Sequence, residues 1–175
     1  GALIIVGEDY GEGASVIQER THAFAVKSSL WLIDPRPDLP TMVRAVEKGF
    51  ELSEASNTPV MLELRIRACH MFGSFVASDN VRARFSAKDR LEPARFNYDR
   101  LSHPPATFRQ EADKVGRRLP AAQRFILDNA LNERLGPAAS DIGIIVQGGL
   151  FNVLNGRLAL AGLSDSDGNV ALSTM

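Results

Sequence analysis

The chain opens on a block of apolar residues, Leu3 to Val6, whose length and β-branching predict a buried strand. A glycine-punctuated acidic loop follows, Gly7-Glu8-Asp9-Tyr10-Gly11-Glu12-Gly13. Ser15 with Gln18 three places on forms a capping box and predicts a helix start. That helix carries Val16, Ile17, Ala23, Phe24 and Val26 and runs to about Ser28. Leu30-Trp31-Leu32-Ile33 is a second short buried strand, closed by Asp34-Pro35-Arg36-Pro37, whose two prolines forbid regular structure. From Asp38 or Thr41 onward, Leu39, Met42, Val43, Val46 and Phe50 share one helical face, and Asn57-Thr58-Pro59 ends it. The next strand, Val60 to Arg67, alternates: Val60, Leu62, Leu64 and Ile66 point one way, Met61, Glu63, Arg65 and Arg67 the other. A parallel strand covered on both faces is expected to be apolar throughout, so this one is expected at an edge, covered on one face only, or with its polar face against a partner.

From Cys69 to about Pro105 no period holds; charges accumulate around Phe85, Phe96 and Tyr98, and the stretch reads as a linker along the surface. Helical character returns at Thr107 to Arg118, and a second helix starts with Pro120 at its first position and continues to Leu135, where Gly136-Pro137 stops it. Ile142 to Val146 predicts another buried strand. Gln147-Gly148-Gly149 then turns the chain into a helix with Leu150, Val153, Leu154, Leu158 and Ala161 on one face, capped by Gly162. Ser164 to Gly168 is a loop before a last strand. The fold class is therefore α/β: a parallel-sheet βαβ unit over residues 1–78, a linker over 79–105, and the start of a second α/β unit over 106–175. The chain begins directly on a core strand and ends on a strand just begun, which reads as a piece of something longer.

Composition changes this picture little. The 175 residues are 45% hydrophobic and 23% charged, as in an ordinary soluble protein. A net charge of −1 gives no electrostatic case for nucleic acid or an acidic membrane. One cysteine, Cys69, excludes an intramolecular disulfide and an iron–sulfur cluster held by this chain alone. With no signal peptide and no apolar run of roughly 20 residues, the expected location is cytoplasmic.

In a parallel sheet, ligands collect where strands end and helices begin. The loop glycines Gly7, Gly11 and Gly13 match neither the dinucleotide fingerprint nor the lysine-bearing phosphate loop. Glu8, Asp9 and Glu12 would repel a phosphate; they suit the positive end of a helix dipole, with a divalent cation as the alternative. Arg20, one turn past the cap, has the fork geometry that suits a substrate carboxylate. His22 and Lys27 have no partner that the sequence reveals. Arg67-Ala68-Cys69-His70 ends the third strand at the same sheet edge as the acidic loop and Asp34. His70 is an acid/base or a cofactor-phosphate ligand on one reading, a loop hydrogen-bonder on the other. Cys69 is expected to be a packed thiol. Asp165 to Asn169 lacks the ligands of a calcium loop, and Gly148-Gly149 is a weak anion site. No metal ligand set is assigned.

The first 80 residues resemble the α chain of indolepyruvate ferredoxin oxidoreductases. The resemblance rests on Glu8-Asp9, Gly13-Ala14-Ser15, the run to Arg20, Asp34-Pro35, Phe50 to Glu54, Pro59-Val60, and Ile66-Arg67 with His70. Ile142 to Gly162 resembles the start of that family's transketolase-C-like domain. The resemblance implies the second half of a thiamine diphosphate pyrimidine-binding domain, then the beginning of the next domain. It implies an enzyme that oxidatively decarboxylates aryl pyruvates to acyl-CoA and reduces ferredoxin. Its cofactors are thiamine diphosphate with Mg²⁺ and iron–sulfur clusters, and none is expected to be bound by this stretch alone. The Gly-Asp-Gly…Asn diphosphate motif, the activating glutamate and the clustered cysteines are all missing here, so no catalytic residue is assigned. By position, Arg20 is expected to contact the substrate carboxylate, with Arg67 and His70 near the cofactor. The implied partners are the rest of the α chain, a γ/β-type subunit or fused domain, ferredoxin and CoA, in an oligomer. The rival readings are a pyruvate-type 2-oxoacid oxidoreductase, a transketolase-like enzyme, and a non-catalytic α/β module that docks a partner on Glu63, Arg65 and Arg67.

Overall fold

The structure, a computed structural model, describes residues 1–9, 20–81, 97, 101, 103–136, 142–163 and 173–174. Its centre is a three-stranded parallel sheet in the order β1-β3-β2, with β1 Leu3–Glu8, β2 Trp31–Ile33 and β3 Val60–Arg65. In register, Leu3 and Trp31 flank Val60, while Val6 lies beside Glu63 and Glu8 beside Arg65. All three strands therefore end at one edge of the sheet. α1, Thr21–Ser28, joins β1 to β2, and α2, Leu39–Ser56, joins β2 to β3.

α2 forms where the apolar spacing predicted it, and the reasons are local. Asp38 caps it through Oδ1, which accepts from Thr41 N at 3.0 Å, and Pro40 lies in the first turn, where a missing N–H costs nothing. Asn57 ends it in the left-handed region at φ 48°, which asparagine tolerates. The face of β3 carrying Val60 and Leu62, both fully buried, packs against Leu52 of this helix. At Gly49 an added Cβ would meet Leu3 Cδ1 at 2.7 Å, so the missing side chain is what lets helix and sheet approach. Ser56 Oγ accepts from Trp31 Nε1 at 2.7 Å and donates to Leu52 O at 2.7 Å, tying β2 to the last turn of α2.

β3 ends at Arg65, short of the predicted Arg67, and turns into α3, Ile66–Cys69. From Met71 to Val81 the chain has no regular structure, and Phe72, Val76 and Val81 are almost fully exposed. Most of the predicted linker lies outside the described residues. α4, Ala106–Asp113, continues through a π turn, Lys114–Arg118, into α5, Leu119–Asp128. The sequence suggested a separate helix opening on Pro120. Instead the rod is continuous: a π turn, bonding to i+5, ends at Arg118, and Pro120 follows within the first two positions of α5. The second helix also stops at Asp128 rather than Leu135. Ala122 of α5 joins Leu52 and Val60 in one core cluster, edged by Phe125, Ile126 and Leu131.

Of the predicted strand 142–146, only β4, Gly143–Ile144, is extended; it pairs in parallel with β5, Ser173–Thr174. A 3₁₀ turn, Gly148–Leu150, leads into α6, Phe151–Leu160, which ends at Gly162 (φ 72°) with Leu163 N bonded back to Leu158 O. The capping box at Ser15–Gln18 and the loop at Ser164–Gly168 lie outside the described residues.

Candidate functional site

The edge where β1, β2 and β3 end holds a knot of charge. On β3 the side chains of Met61, Glu63 and Arg65 point to the face opposite α2. The alternation predicted that face to be open at the sheet edge or waiting for a partner. It is neither: β3 is the central strand, Glu63 is 1% exposed and Arg65 8%. Elements distant in the chain cover them, which a pattern read along one strand does not reveal. Arg67, beyond the strand end, is exposed.

Arg65, Asp34 and Glu8 each have an identifiable anchor. Arg65 Nη2 donates to Asp34 Oδ2 and to Gln147 Oε1, both at 2.9 Å, and lies 3.3 Å from Glu63 Oε1. Asp34, one residue past β2, also accepts from Gly149 N at 2.9 Å through Oδ1. Gly148 and Gly149 allow this approach. An added Cβ would stand 2.0 Å from Asp34 O at the first and 2.1 Å from Arg65 Nε at the second. The weak anion site read at Gly148-Gly149 is thus filled by the chain's own Asp34 carboxylate. Glu8, at the end of β1, turns back to the start of α1. Its Oε2 accepts from Thr21 N at 3.0 Å and from the Thr21 hydroxyl. A buried carboxylate at a helix N-terminus meets the positive end of the dipole, the role expected of the acidic loop. Asp9 follows it, and Glu12 lies outside the described residues.

Glu63 sits in the middle of this group. His22 Nδ1 is 3.2 Å from its Oε2, with the imidazole about one-third exposed. Burial and the nearby charges of Asp34 and Glu8 push its pKa up to about 7, and Arg65 opposes the rise only in part. The carboxyl is therefore poised between its charged and neutral forms near neutrality. His22, unpartnered on the sequence, is thus joined to Glu63, and Asp34 to Arg65. The available signal was charge on a strand between two apolar neighbours, since such residues need compensation.

The three predicted site residues stand outside this buried knot. Arg20 is exposed and precedes α1 as its N-cap, φ −135°, rather than lying one turn inside the helix. Arg67 is exposed on α3, and exposed His70 terminates it. Cys69, expected to be packed, is exposed at the last position of α3. A second anchor pins the loop after β2: Arg36 forms a two-point pair with Glu133 at 2.5 and 3.0 Å and stacks over Phe151 at 5.3 Å. The Glu133 carboxylate raises the Arg36 pKa further. No helix among the described residues is long and apolar enough to cross a membrane.

Two curated proteins resemble the chain along most of its length. Both are named indolepyruvate oxidoreductase subunit IorA, from Methanothermobacter thermautotrophicus and Methanothermobacter marburgensis. Each is 26% identical, over 167 and 168 residues, covering 93% of this chain and 26% of the relative. The chain thus spans about a quarter of the length of the relatives it matches, and the relationship is a distant one. No family model and no solved structure matches it.

Proposed function

We propose that the chain is a segment of the α-type subunit of a 2-oxoacid:ferredoxin oxidoreductase acting on aryl pyruvates such as indolepyruvate. The observation that carries this reading is the distant similarity to the two IorA subunits over nearly the whole chain. The α/β sheet with all strand ends at one edge supports it, because that is where such folds collect ligands. In this reading the segment corresponds to half of a pyrimidine-binding domain plus the start of a second α/β domain. Ferredoxin, CoA and a further subunit or fused domain are the partners of the whole enzyme.

Thiamine diphosphate does not fit the residues present here. Glu63 is fully enclosed, Glu8 is committed to Thr21, and Asp34 is committed to Arg65 and Gly149. None of these carboxylates is open to a heteroaromatic ring, and the sequence has no Gly-Asp-Gly…Asn motif to hold a metal diphosphate. In this reading the cofactor contacts belong to other parts of the enzyme, and this segment supplies the rim. Arg20 and His70 are exposed on that rim, and Arg20 has the fork geometry for a substrate carboxylate.

The test is 2-oxoacid-dependent reduction of ferredoxin by the native complex that contains this chain. Turnover with indolepyruvate exceeding that with pyruvate is expected; no reduction with any 2-oxoacid overturns the proposal. Arg20→Lys in that complex keeps the charge and loses the two-point contact, which costs about 1–3 kcal/mol for a charge-assisted pair. A fall of about five- to 150-fold in kcat/KM is expected, and an unchanged kcat/KM removes Arg20 from the site.

A further inference from the structure

We propose that His22, Asp34 and Glu63 form a binding site for a first-row divalent cation, Zn²⁺ or Mn²⁺ in chemical class. One donor atom from each lies within 4.8 Å of the others. The His22 Nδ1 to Glu63 Oε2 separation of 3.2 Å is the edge expected between neighbouring ligands about 2.1 Å from one ion. Small side-chain adjustments bring Asp34 into the same shell.

A second observation is independent of that spacing. Glu63 is fully buried, and neither of its carboxylate oxygens accepts a hydrogen bond among the described residues. The nitrogens beside it, His22 Nδ1 at 3.2 Å and Arg65 Nη2 at 3.3 Å, are out of hydrogen-bond alignment. A buried carboxylate left that way costs stability unless something takes up its lone pairs. The charge balance points the same way. Glu8, Asp34 and Glu63 place three carboxylates beside one guanidinium, Arg65, so negative charge is in surplus where water is excluded.

The donor set selects the metal. One imidazole and two carboxylates suit Zn²⁺, Mn²⁺ or Fe²⁺, whereas Ca²⁺ and Mg²⁺ prefer all-oxygen shells and Cu⁺ prefers sulfur. The shell behind the ligands is already in place. Gly149 N and Arg65 hold Asp34, and the Glu8–Thr21 contacts fix the start of the helix that carries His22. The partly exposed imidazole gives an ion access to the buried carboxylate. Arg65 competes for Asp34 and Glu63, so the site is expected to bind in the micromolar rather than the nanomolar range.

The experiment is titration of the chelator-stripped 175-residue chain with Zn²⁺ by calorimetry, and with Mn²⁺ by electron paramagnetic resonance. One equivalent is expected, with nitrogen coupling to the Mn²⁺ from the His22 imidazole. His22→Ala should weaken binding at least about tenfold, measured at a temperature where circular dichroism shows the metal-free variant folded. Absence of saturable binding by both metals overturns the proposal. So does Mn²⁺ bound with no nitrogen coupling, or affinity unchanged in His22→Ala, which would move the metal to other groups and leave Glu63 and His22 sharing only a proton.

Discussion

Gly148→Ala tests whether the segment carrying α6 is fastened to the sheet edge. The added Cβ would stand 2.0 Å from Asp34 O, 2.7 Å from Pro35 C and 2.9 Å from Arg36 N. All three are backbone atoms, so no rotamer change relieves the clash. Ordinary contact begins near 3.4 Å, so the 3₁₀ turn must withdraw by about 1.4 Å. At that displacement the 2.9 Å bonds from Gly149 N to Asp34 and from Arg65 to Gln147 cannot both survive. Overpacking costs about 1–3 kcal/mol, and each lost bond adds about 0.5–1.5 kcal/mol. A destabilisation of about 2–4 kcal/mol is therefore expected, read as a lower urea midpoint at unchanged slope. Gly156→Ala in α6 is the control: its Cβ meets nothing within 4 Å, and alanine there should stabilise by about 0.5–1 kcal/mol. Equal midpoints for Gly148→Ala and the parent chain would mean that the turn does not pack on the loop after β2.

Three further outcomes are expected. Glu63 is held near pKa 7 against an ordinary 4.5, so the fold favours its neutral form. Its contribution is complete below about pH 4.5 and is lost as pH rises through 7, a swing of about 3 kcal/mol. Urea melts with chelator at pH 5 and pH 8 should show that swing in the parent chain and not in Glu63→Gln; parallel pH profiles would refute it. Arg65→Met removes the one guanidinium that the described residues place in the knot and strands Asp34 and Glu63, at about 3–5 kcal/mol. The loss should be larger at pH 8 than at pH 5, where Glu63 is protonated, and equal losses would count against the ion pairing. Limited chymotrypsin digestion should cut first between Cys69 and Pro105, where Phe72 is fully accessible in irregular chain; first cleavage inside α2 would contradict that.

What the sequence determined by itself is local. The five apolar positions from Leu39 to Phe50 and the start read at Asp38 or Thr41 specify α2 to within two residues, because helix period and capping are properties of neighbours in the chain. The strands at Leu3, Trp31 and Val60, the parallel α/β class and the breaks at Asp34 to Pro37 and Asn57 were legible for the same reason. Tertiary structure decided everything that depends on which elements meet. Period-2 alternation shows that Glu63 and Arg65 share a face but not what covers it. Of the covering groups, His22 is 41 residues from Glu63, and Asp34 and Gln147 are 31 and 82 residues from Arg65. Only the sheet order, with β3 between β1 and β2, turns an apparent edge strand into the buried centre of a charge cluster. The raised pKa of Glu63 is decided there too. Burial and neighbouring carboxylates set it, and neither exists until β1, β2 and β3 end side by side.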